Sequence, residues 1–326
     1  MEIALRGLEI NNSAKTYGVF LSTGHRGWII DAIARESAQA IGVRPKFNYL
    51  WVSRRELANP KFLFHALSKS FCDVNVFFHH EVLLRFPDKK LRQSKDNRVY
   101  LTHLGVDLLN NQKLLKKLQM CTRIIVQNST VKEFLVSAEI DINKIFVAYG
   151  AVDREYYFPI RDLSELKSPY VIIVGDCKPR KRPDILRKVI EALPDTRFLI
   201  HGKNWRDQMG YQEDLPPNLQ IQDFILANNP FLIRSASAIL NVAEIEGGPY
   251  PILEALASGT PVASSDSGFV SEVVTQESGI IFSISDDIST ITRSLSSVIQ
   301  MKEEVALTDL LCGKLTWKDH GEVLYG

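Results

Sequence analysis

The sequence predicts an α/β protein in which two doubly wound, Rossmann-like domains face each other across a cleft. The chain has 326 residues, which is too long for one compact core and suits two domains. Short β-rich runs alternate along the chain with longer helical runs, as they do in parallel sheets with crossover helices. Runs such as "VIIV" at residues 171–174 are apolar throughout, which indicates strands that are buried on both faces of a sheet.

The individual elements follow from these alternating runs. In the first half the predicted strands are Tyr17–Leu21, Phe47–Val52, Val74–Phe78, Val99–Thr102, Arg123–Val126 and Ile145–Ala148. In the second half they lie within "YVIIVG", "RFLIHG", "LQIQDFI", "AILNVA", "PVASSD" and "GIIFS". Segments such as "GWIIDAIARESAQAI", "QKLLKKLQMC", "RPDILRKVIEAL" and "YPILEALAS" predict the helices between them.

The join between the domains is predicted near "AVDREYYFPIRDLSELKSPY", where Pro159 and a polar stretch precede a new buried strand. We expect a first domain at residues 1–160 and a second domain at residues 161–310. A helix within residues 311–326 is expected to pack back on the first domain. Sheets of this type bind ligands at the C-terminal ends of their strands, so the two domains would form a binding cleft.

Composition excludes several classes of protein. Hydrophobic residues make up 45% and charged residues 24%, which is ordinary for a globular protein, and no apolar run approaches the roughly 20 residues that span a bilayer. The N-terminus lacks the layout of a signal peptide. The cysteines lack the spacing of a zinc site and are predicted to be reduced thiols of a cytoplasmic protein. They are Cys72, Cys121, Cys177 and Cys312.

The net charge of +1 hides an asymmetry between the two halves. Residues 1–160 carry 23 basic and 15 acidic side chains, whereas the remaining positions carry 16 and 23. The segment "RFPDKKLRQSKDNR" at residues 85–98 holds six basic and two acidic side chains. It is either a solvated loop or a surface for an anionic lipid or acceptor, which would bring the protein to the inner face of a membrane. No nucleic-acid partner is expected.

The stretch "EIEGGPYPILEALAS" predicts an anion site at a strand-to-helix turn. Gly247 and Gly248 allow a ligand to approach the backbone, and Pro249 or Pro251 fits the first helical position. The free N–H groups and the dipole of the helix start favour a negative ligand. The alternative is a plain strand–turn–helix connection with a capping acid.

Two acids flank this turn, and they would repel an anion unless they were directed at something else. Glu246 precedes the glycines, and Glu254 lies about one turn into the helix. Sugar hydroxyls are the natural partners, because one carboxylate can accept two of them. The pattern therefore indicates an anion that carries sugar, such as a nucleoside diphosphate sugar.

The region from Glu246 to Val262 resembles the signature of the family 4 retaining glycosyltransferases, which have the GT-B fold. The shared pattern is Glu-x7-Glu, with glycines after the first acid, continued here by "LEALASGTPVAS". The segments "SGFVSEVVTQESGIIFS" and "TRIIVQNSTVKEFLVSAEIDINKIFVAYGAVDREYYFP" resemble further parts of that family. The resemblance begins at about residue 70, and it implies a transferase of polysaccharide biosynthesis that takes sugar from a nucleotide diphosphate with retention of the anomeric configuration.

The resemblance also implies that residues 1–160 form the acceptor-side domain and residues 161–310 the nucleotide-sugar-binding domain. It further implies roles for single residues. Glu246 would contact the donor sugar, Glu254 would accept the ribose hydroxyls, and His103 matches a family histidine that contacts the donor sugar. The remaining donor contacts would come from the turn, at Gly247, Gly248, Pro249 and Tyr250. On the first-domain side, "STGHRGW" would supply a loop that touches phosphate or acceptor, although it equally fits a structural turn. That loop is Gly24, His25, Arg26 and Gly27.

The segment "GDCKPRKRPD" resembles the family's diphosphate-binding Gly-Arg-x4-Lys motif with one departure. Gly175 and Lys181 match in spacing, but Asp176 stands where the arginine belongs. A neighbouring cation is expected to replace it, unless the cluster is only a solvated loop. The candidates are Lys178, Arg180 and Arg182.

The implied chemistry is electrostatic. Lys181, its basic neighbours and the helix start would stabilise the charge that grows on the diphosphate, whose oxygen takes the proton of the acceptor. No Asp-x-Asp motif is present, so we expect neither a metal nor a cofactor beside the nucleotide-sugar co-substrate. The acceptor would be a glycan, a lipid-linked molecule or another hydroxyl compound. Two alternatives stay open: a sugar-nucleotide epimerase of the same architecture, and a nucleotide- or glycan-binding module without chemistry, which Asp176 favours.

Overall fold

A computed structural model describes most of the chain. The described residues are 15–22, 29–50, 72–102, 110–159, 170–212, 214–301 and 315–326. The predicted loop at residues 24–27, His103 and Cys312 lie outside them.

Twelve strands in the described residues form two six-stranded sheets, and all the pairings between them are parallel. The first sheet contains β1 (Tyr17–Ser22), β2 (Lys46–Leu50), β3 (Val74–Phe78), β4 (Asp96–Tyr100), β5 (Arg123–Val126) and β6 (Ile145–Val147). The second contains β7 (Val171–Val174), β8 (Phe198–His201), β9 (Leu219–Gln222), β10 (Ala238–Asn241), β11 (Val262–Ser265) and β12 (Gly279–Phe282).

Both sheets are doubly wound. The order is β2-β1-β3-β4-β5-β6 in the first sheet and β12-β11-β10-β7-β8-β9 in the second. Parallel neighbours need crossover connections, and the helices of the chain supply them. The predicted α/β class, with two doubly wound sheets, is confirmed.

The helices lie between the strands in sequence. Those of the first half are α1 (Ile29–Ala40), α2 (His80–Arg85), α3 (Asp88–Gln93), α4 (Gln112–Gln119) and α5 (Ser129–Ser137). Those of the second half are α6 (Pro183–Ala192), α7 (Trp205–Gln208), α8 (Asn229–Ser235), α9 (Tyr250–Ala257), α10 (Val270–Val273), α11 (Ile288–Gln300) and α12 (Trp317–Tyr325). Side-chain caps define several starts, as where Asn111 accepts from the Leu114 amide and Asn128 from the Val131 amide.

Apolar side chains from both faces of each sheet form the cores. In the first sheet the rings of Phe20 and Phe77 stack with centroids 5.2 Å apart, and Phe86 packs edge-on against both. In the second sheet β7 is buried along its whole length, as the continuous run "VIIV" predicts.

The last helix, α12, packs against the first domain. Gly321 lies so close to α1 that a Cβ there would be 2.2 Å from the carbonyl oxygen of Ser37. Arg98 and Arg123, from β4 and β5, donate to the carbonyl oxygens of Leu324 and Val323 at 3.1 and 2.7 Å. These arginines satisfy carbonyls that the end of a helix leaves without partners, so α12 is fastened to the first sheet.

The segment at residues 85–98 is not a loop, which corrects one of the two interpretations offered for it. It contains α3 and the start of β4, and Arg98 is buried with its guanidinium 2.7 Å from Asp96. The prediction that this strand begins at Val99 was wrong, because β4 begins at Asp96. The first residues of β4 are polar, but they have hydrogen-bond partners inside the protein: Asn97, for example, donates to the Leu91 carbonyl at 2.7 Å. Exposed basic side chains remain at Lys89, Arg92 and Lys95.

Candidate donor site at the switch point of the second sheet

The strand order of the second sheet reverses between β7 and β10, which are hydrogen-bonded neighbours. The connections that leave these two strands run to opposite sides, and this opens a crevice at their carboxyl ends where such sheets bind ligands. Lys181 follows β7 and Glu246 follows β10. Topology therefore brings together two segments that the sequence analysis assigned to one site.

Two cations lie against Glu246 in this crevice. Its carboxylate Oε1 is 2.6 Å from Nη1 of Arg180 and 3.4 Å from Nζ of Lys181. The Glu246 side chain is only 4% exposed, while Arg180 is 29% and Lys181 17% exposed. A buried carboxylate needs such partners, and both cations keep a face that a ligand can reach.

A 3₁₀ turn at Pro179–Lys181 holds the cations in place. The carbonyl oxygen of Arg180 accepts from the Glu244 amide at 2.8 Å, and the Arg180 guanidinium donates to the carbonyl of Ile245 at 2.8 Å. Arg180 is thus the basic neighbour that joins Lys181. Arg182 turns instead to Asp184, 2.8 Å away, and lies 3.9 Å from Glu244.

Asp176 has a structural partner that explains the acid at this position. Its Oδ1 accepts from the backbone amide of Lys203 at 2.9 Å, which ties the loop after β7 to the loop after β8. The amide of Cys177 returns a bond to the Lys203 carbonyl at 2.8 Å, and Trp205 donates to the carbonyl of Gly175. An arginine cannot accept a hydrogen bond, so the acid suits this connection.

Gly175 allows Lys181 to fold over the end of β7. Its backbone has φ +102°, and a Cβ there would lie 3.4 Å from Nζ of Lys181. The ammonium also lies 3.5 Å from the carbonyl oxygen of Val174. Any side chain at Gly175 would be strained and would crowd the cation.

The glycine turn leads into α9, which begins at Tyr250 with Pro249 as its N-cap residue and Pro251 at the second helical position. A Cβ on Gly248 would lie 2.5 Å from the ring of Phe269 and 2.8 Å from Nε2 of Gln127. The turn is thus enclosed between both domains, and only glycine fits. The helix start faces the same crevice as the two cations, because it follows the loop after β10.

Glu254 is half-buried and held by a neighbouring helix. Its carboxylate accepts from Nδ2 of Asn229 at 2.9 Å, and Asn229 also donates to the Tyr157 hydroxyl at 3.0 Å. Burial raises the pKa of Glu254 to about 7, although the hydrogen bonds from Tyr157 and Asn229 oppose the shift. Sequence reasoning missed both partners, because neither lies near Glu254 in the chain.

The two domains meet directly beside the turn. Asn128 of the first domain donates to the Gly247 carbonyl at 3.0 Å. Next to it, Ser129 donates through its amide and its hydroxyl to Glu272, at 2.8 and 2.5 Å, and Tyr149 donates to the same carboxylate at 3.0 Å. The sequence does contain an indication of Asn128 and Ser129: they lie in the polar run "QNS" directly after β5, at the carboxyl end of a parallel strand.

A second group of polar side chains follows β3 in the first domain. His79, His80 and Glu81 each bring one possible ligand atom within 4.8 Å of the others, so they could hold a metal ion. His79 has φ 85°, which is unusual for a residue with a side chain, and its Nδ1 accepts from the Glu81 amide. Burial lowers the pKa of His80, and Glu81 lies 3.7 Å from Arg85.

The residues of this crevice lie within a match to a known family. Residues 160–306 match the model of the family "Glycosyl transferases group 1". The matched residues span the second domain. The match includes the cations, the glycine turn and both glutamates of the crevice. The match supports glycosyltransferase activity with a nucleotide-sugar donor.

Two relatives are similar to parts of the chain, and the first match is longer than the second domain. The chain is 24% identical over 257 residues to the O-antigen chain mannosyltransferase RfbU of Salmonella typhimurium, covering 69% of each protein. It is 27% identical over 179 residues to the D-inositol 3-phosphate glycosyltransferase of Mycobacteroides abscessus, covering 49% of this chain and 40% of that protein.

Solved structures show the same fold over nearly the whole chain. Sucrose-phosphate synthase from Thermosynechococcus elongatus superposes with a TM-score of 0.75 at 14% identity, covering 96% of this chain and 95% of that one. Anabaena HepE in complex with UDP-glucose gives 0.71 at 12% identity, covering 95% and 98%. The chain thus has the GT-B architecture. Within the described residues, no helix is long and apolar enough to cross a membrane.

Proposed function

We propose that this glycosyltransferase moves a sugar from a nucleoside diphosphate to a hydroxyl acceptor with retention of the anomeric configuration. The observation that carries the proposal is the pair of cations, Arg180 and Lys181, held on Glu246 at the switch point of the second sheet. A diphosphate placed there would meet both cations and the start of α9.

Donor binding would exchange the partners of Glu246. In the structure its carboxylate is neutralised by Arg180 and Lys181. A bound diphosphate draws on the same two cations, and the carboxylate then has acceptor capacity for hydroxyls of the donor sugar. The contacts of Glu246 would therefore depend on both the diphosphate and the sugar of the donor.

The nucleoside would lie on the other side of the diphosphate, toward Glu254. Its carboxylate is positioned by Asn229, which leaves acceptor capacity for the two ribose hydroxyls. The raised pKa of Glu254 means that a hydroxyl-binding carboxylate competes with the protonated form near neutral pH.

Retention is proposed from the resemblance to the retaining family, and a same-face reaction is proposed as its route because neither Glu246 nor Glu254 suits a covalent intermediate. Glu246 is engaged with two cations, and Glu254 with Asn229. The carbon–oxygen bond to the diphosphate would break while the acceptor oxygen attacks the same face. The leaving diphosphate oxygen takes the acceptor proton, and Arg180 and Lys181 stabilise its negative charge. These two cations would supply the positive charge that the departing diphosphate needs, so we expect turnover without a divalent ion.

We propose a glycan or lipid-linked acceptor, met at the cytoplasmic face of a membrane. The names of the relatives support it: one is an O-antigen chain mannosyltransferase, and the chain also superposes on the lipopolysaccharide outer core galactosyltransferase WaaB with a TM-score of 0.60 at 15% identity. The exposed side chains of Lys89, Arg92 and Lys95 give the first domain a basic surface around α3. Each such side chain contributes up to about 1 kcal/mol at an anionic bilayer.

The first experiment identifies the donor and the stereochemistry. Thermal shift against UDP, GDP and ADP sugars selects the donor, since a ligand at 100 times its Kd adds about 2.7 kcal/mol of stability. Proton NMR of the product, formed with a membrane glycolipid extract as acceptor, then gives the anomeric configuration. An inverted product would contradict retention, and acceptor-independent conversion of the donor to an isomer would favour an epimerase. Donor binding without turnover would favour a binding module.

The second experiment tests whether the first domain binds an anionic membrane. Co-sedimentation with vesicles of 0, 20 and 40% phosphatidylglycerol is compared between wild type and a triple variant, Lys89→Ser, Arg92→Ser and Lys95→Ser. The matched control removes the same charge from the second domain, with Lys188→Ser, Arg197→Ser and Arg293→Ser. Only the first variant should lose binding at low salt, and equal binding of wild type to neutral and anionic vesicles would contradict the proposal.

A further inference from the structure

Asn128 connects the first domain to the donor turn of the second. It follows β5, is 4% exposed and caps α5 by accepting from the Val131 amide at 2.8 Å through Oδ1. Its Nδ2 donates at 3.0 Å to the carbonyl oxygen of Gly247, across the cleft. Because the cap fixes which end of the amide is oxygen, the nitrogen must face Gly247.

This contact sets the orientation of one peptide group. The bond between Gly247 and Gly248 is trans, so its C=O and N–H point in opposite directions. Since Asn128 holds the carbonyl, the Gly248 N–H points away from Asn128. None of the described residues accepts a hydrogen bond from that amide.

The surroundings prevent the peptide group from turning over. Gly268, with φ +65°, approaches so closely that a Cβ there would be 2.8 Å from the Gly247 carbonyl oxygen. On the other side, Phe269 and Gln127 lie against Gly248. Gly248 is buried, and a buried amide generally has a hydrogen-bond partner.

We propose that Asn128 is a positioning residue that aims the Gly248 amide at the diphosphate or sugar of the donor. The inference rests on the proposed donor site and adds to it a coupling between domains. The hydrogen bond exists only when the first domain lies against the second, so the amide is fixed for the donor when the cleft is closed. Asn128 itself need not touch the donor.

The decisive variant is Asn128→Asp. Aspartate caps a helix as well as asparagine does, so α5 keeps its start. It cannot donate to Gly247, and it places a carboxylate against a carbonyl oxygen. Asn128→Ser is the uncharged companion, since serine also caps but is too short to reach Gly247. The matched control is Asn111→Asp at the start of α4, where the side chain accepts from Leu114 and the described contacts do not cross the cleft.

The measurements are Tm, the Kd of UDP, GDP and ADP by calorimetry, and kcat and KM with the donor that the thermal-shift screen selects. We expect Asn128→Asp and Asn128→Ser to lower kcat/KM by about 10- to 100-fold at nearly unchanged Tm, because a buried carbonyl loses its partner and the amide loses its direction. Asn111→Asp should change neither quantity.

Three outcomes overturn the inference, and each has a separate meaning. Wild-type kcat/KM in both Asn128 variants would show that the contact does not position the amide. A loss of activity that only follows a fall in Tm would make Asn128 a structural cap. If the wild-type protein binds none of the three diphosphates, the proposed donor site itself fails and the inference falls with it.

Discussion

Arg180 and Glu246 form a 2.6 Å ion pair although they belong to loops that follow different strands of the second sheet. The pair exists because β7 and β10 are neighbours whose carboxyl ends meet at one edge. In the proposed donor site, Arg180 of the 3₁₀ turn would therefore supply the cation that the family motif places at position 176. Asp176 instead joins the loop after β7 to the loop after β8.

Arg180→Ala should reduce activity far more than Arg182→Ala. The first change removes a hydrogen-bonded partner from a buried carboxylate, at a cost of about 3 kcal/mol, and takes one cation from the diphosphate. The second removes a guanidinium whose main partner, Asp184, is exposed. Steady-state kinetics with each variant test this, and we expect kcat to fall by about 100-fold for Arg180→Ala and by less than threefold for Arg182→Ala. Similar losses in both would mean that Arg180 has no special relation to the donor.

Nucleotide affinity should depend on pH through Glu254. Burial raises its pKa to about 7, so its carboxylate forms only as the pH rises through neutrality. If the ionised form accepts the ribose hydroxyls, the Kd of the nucleoside diphosphate should fall between pH 6 and pH 8 in the wild type. Glu254→Gln keeps the size of the side chain but does not titrate. Calorimetry of both proteins separates this residue from the ionisation of the phosphates, which is common to both, and parallel pH profiles would exclude Glu254.

The same shift has a consequence for stability, with a defined sign. Because the folded-state pKa of Glu254 lies above its ordinary value of 4.5, the native state holds the proton more tightly than the unfolded state does. The contribution of Glu254 to the free energy of unfolding is therefore fully present below about pH 4.5 and is lost as the pH rises through about 7. Urea unfolding of wild type and Glu254→Gln across this range should show a steeper loss in the wild type. Equal slopes would mean that the pKa is not raised.

His320 should make the protein less stable as the pH falls, which is the opposite of the effect of Glu254. It is buried in α12 with Nδ1 2.8 Å from the Ser37 hydroxyl of α1, and burial lowers its pKa to about 4. The unfolded state takes up a proton below its ordinary pKa of 6.5, but the folded state does so only near 4. Stability is thus complete above pH 6.5 and falls by up to about 1.4 kcal/mol per pH unit as the pH drops toward 4. Unfolding of His320→Gln should lack this slope, whereas an unaltered slope would assign the acid sensitivity elsewhere.

Much of the fold could be predicted because its strands are continuous apolar runs. Each predicted strand has a counterpart in the structure, and Val74–Phe78 has the predicted limits. The error at β4 arose because Asn97 and Arg98 are polar, and polarity in a sequence does not reveal that a side chain has internal partners. The local sequence pattern predicts a strand where the buried side chains are apolar. It fails where the buried side chains are polar and are stabilised by hydrogen bonds.

The site could be predicted only as far as single segments allow. The glycine turn, Glu246, Lys181 and Glu254 lie in two short motifs. Arg180 is distinguished from its basic neighbours by the way its turn packs against residues 244–245. The hydrogen bond from Asn128 to Gly247 joins positions that are 119 residues apart in the chain. Such contacts follow from the arrangement of two sheets, which no spacing within one motif expresses.

The last prediction concerns Glu272, whose carboxylate joins the second domain to Ser129 and Tyr149 of the first. Glu272→Gln keeps its size but exchanges one acceptor oxygen for a donor that meets the amide and hydroxyl of Ser129. The exposed position makes the effect on unfolding small, below about 1 kcal/mol. The closed arrangement should nevertheless be less populated, so that kcat/KM falls by about 3- to 30-fold and the radius of gyration from X-ray scattering increases in the absence of donor. Glu277→Gln, on the exposed turn that follows α10, is the control and should behave as wild type. If Glu272→Gln changes neither the scattering nor the kinetics, the contact between the domains does not regulate closure.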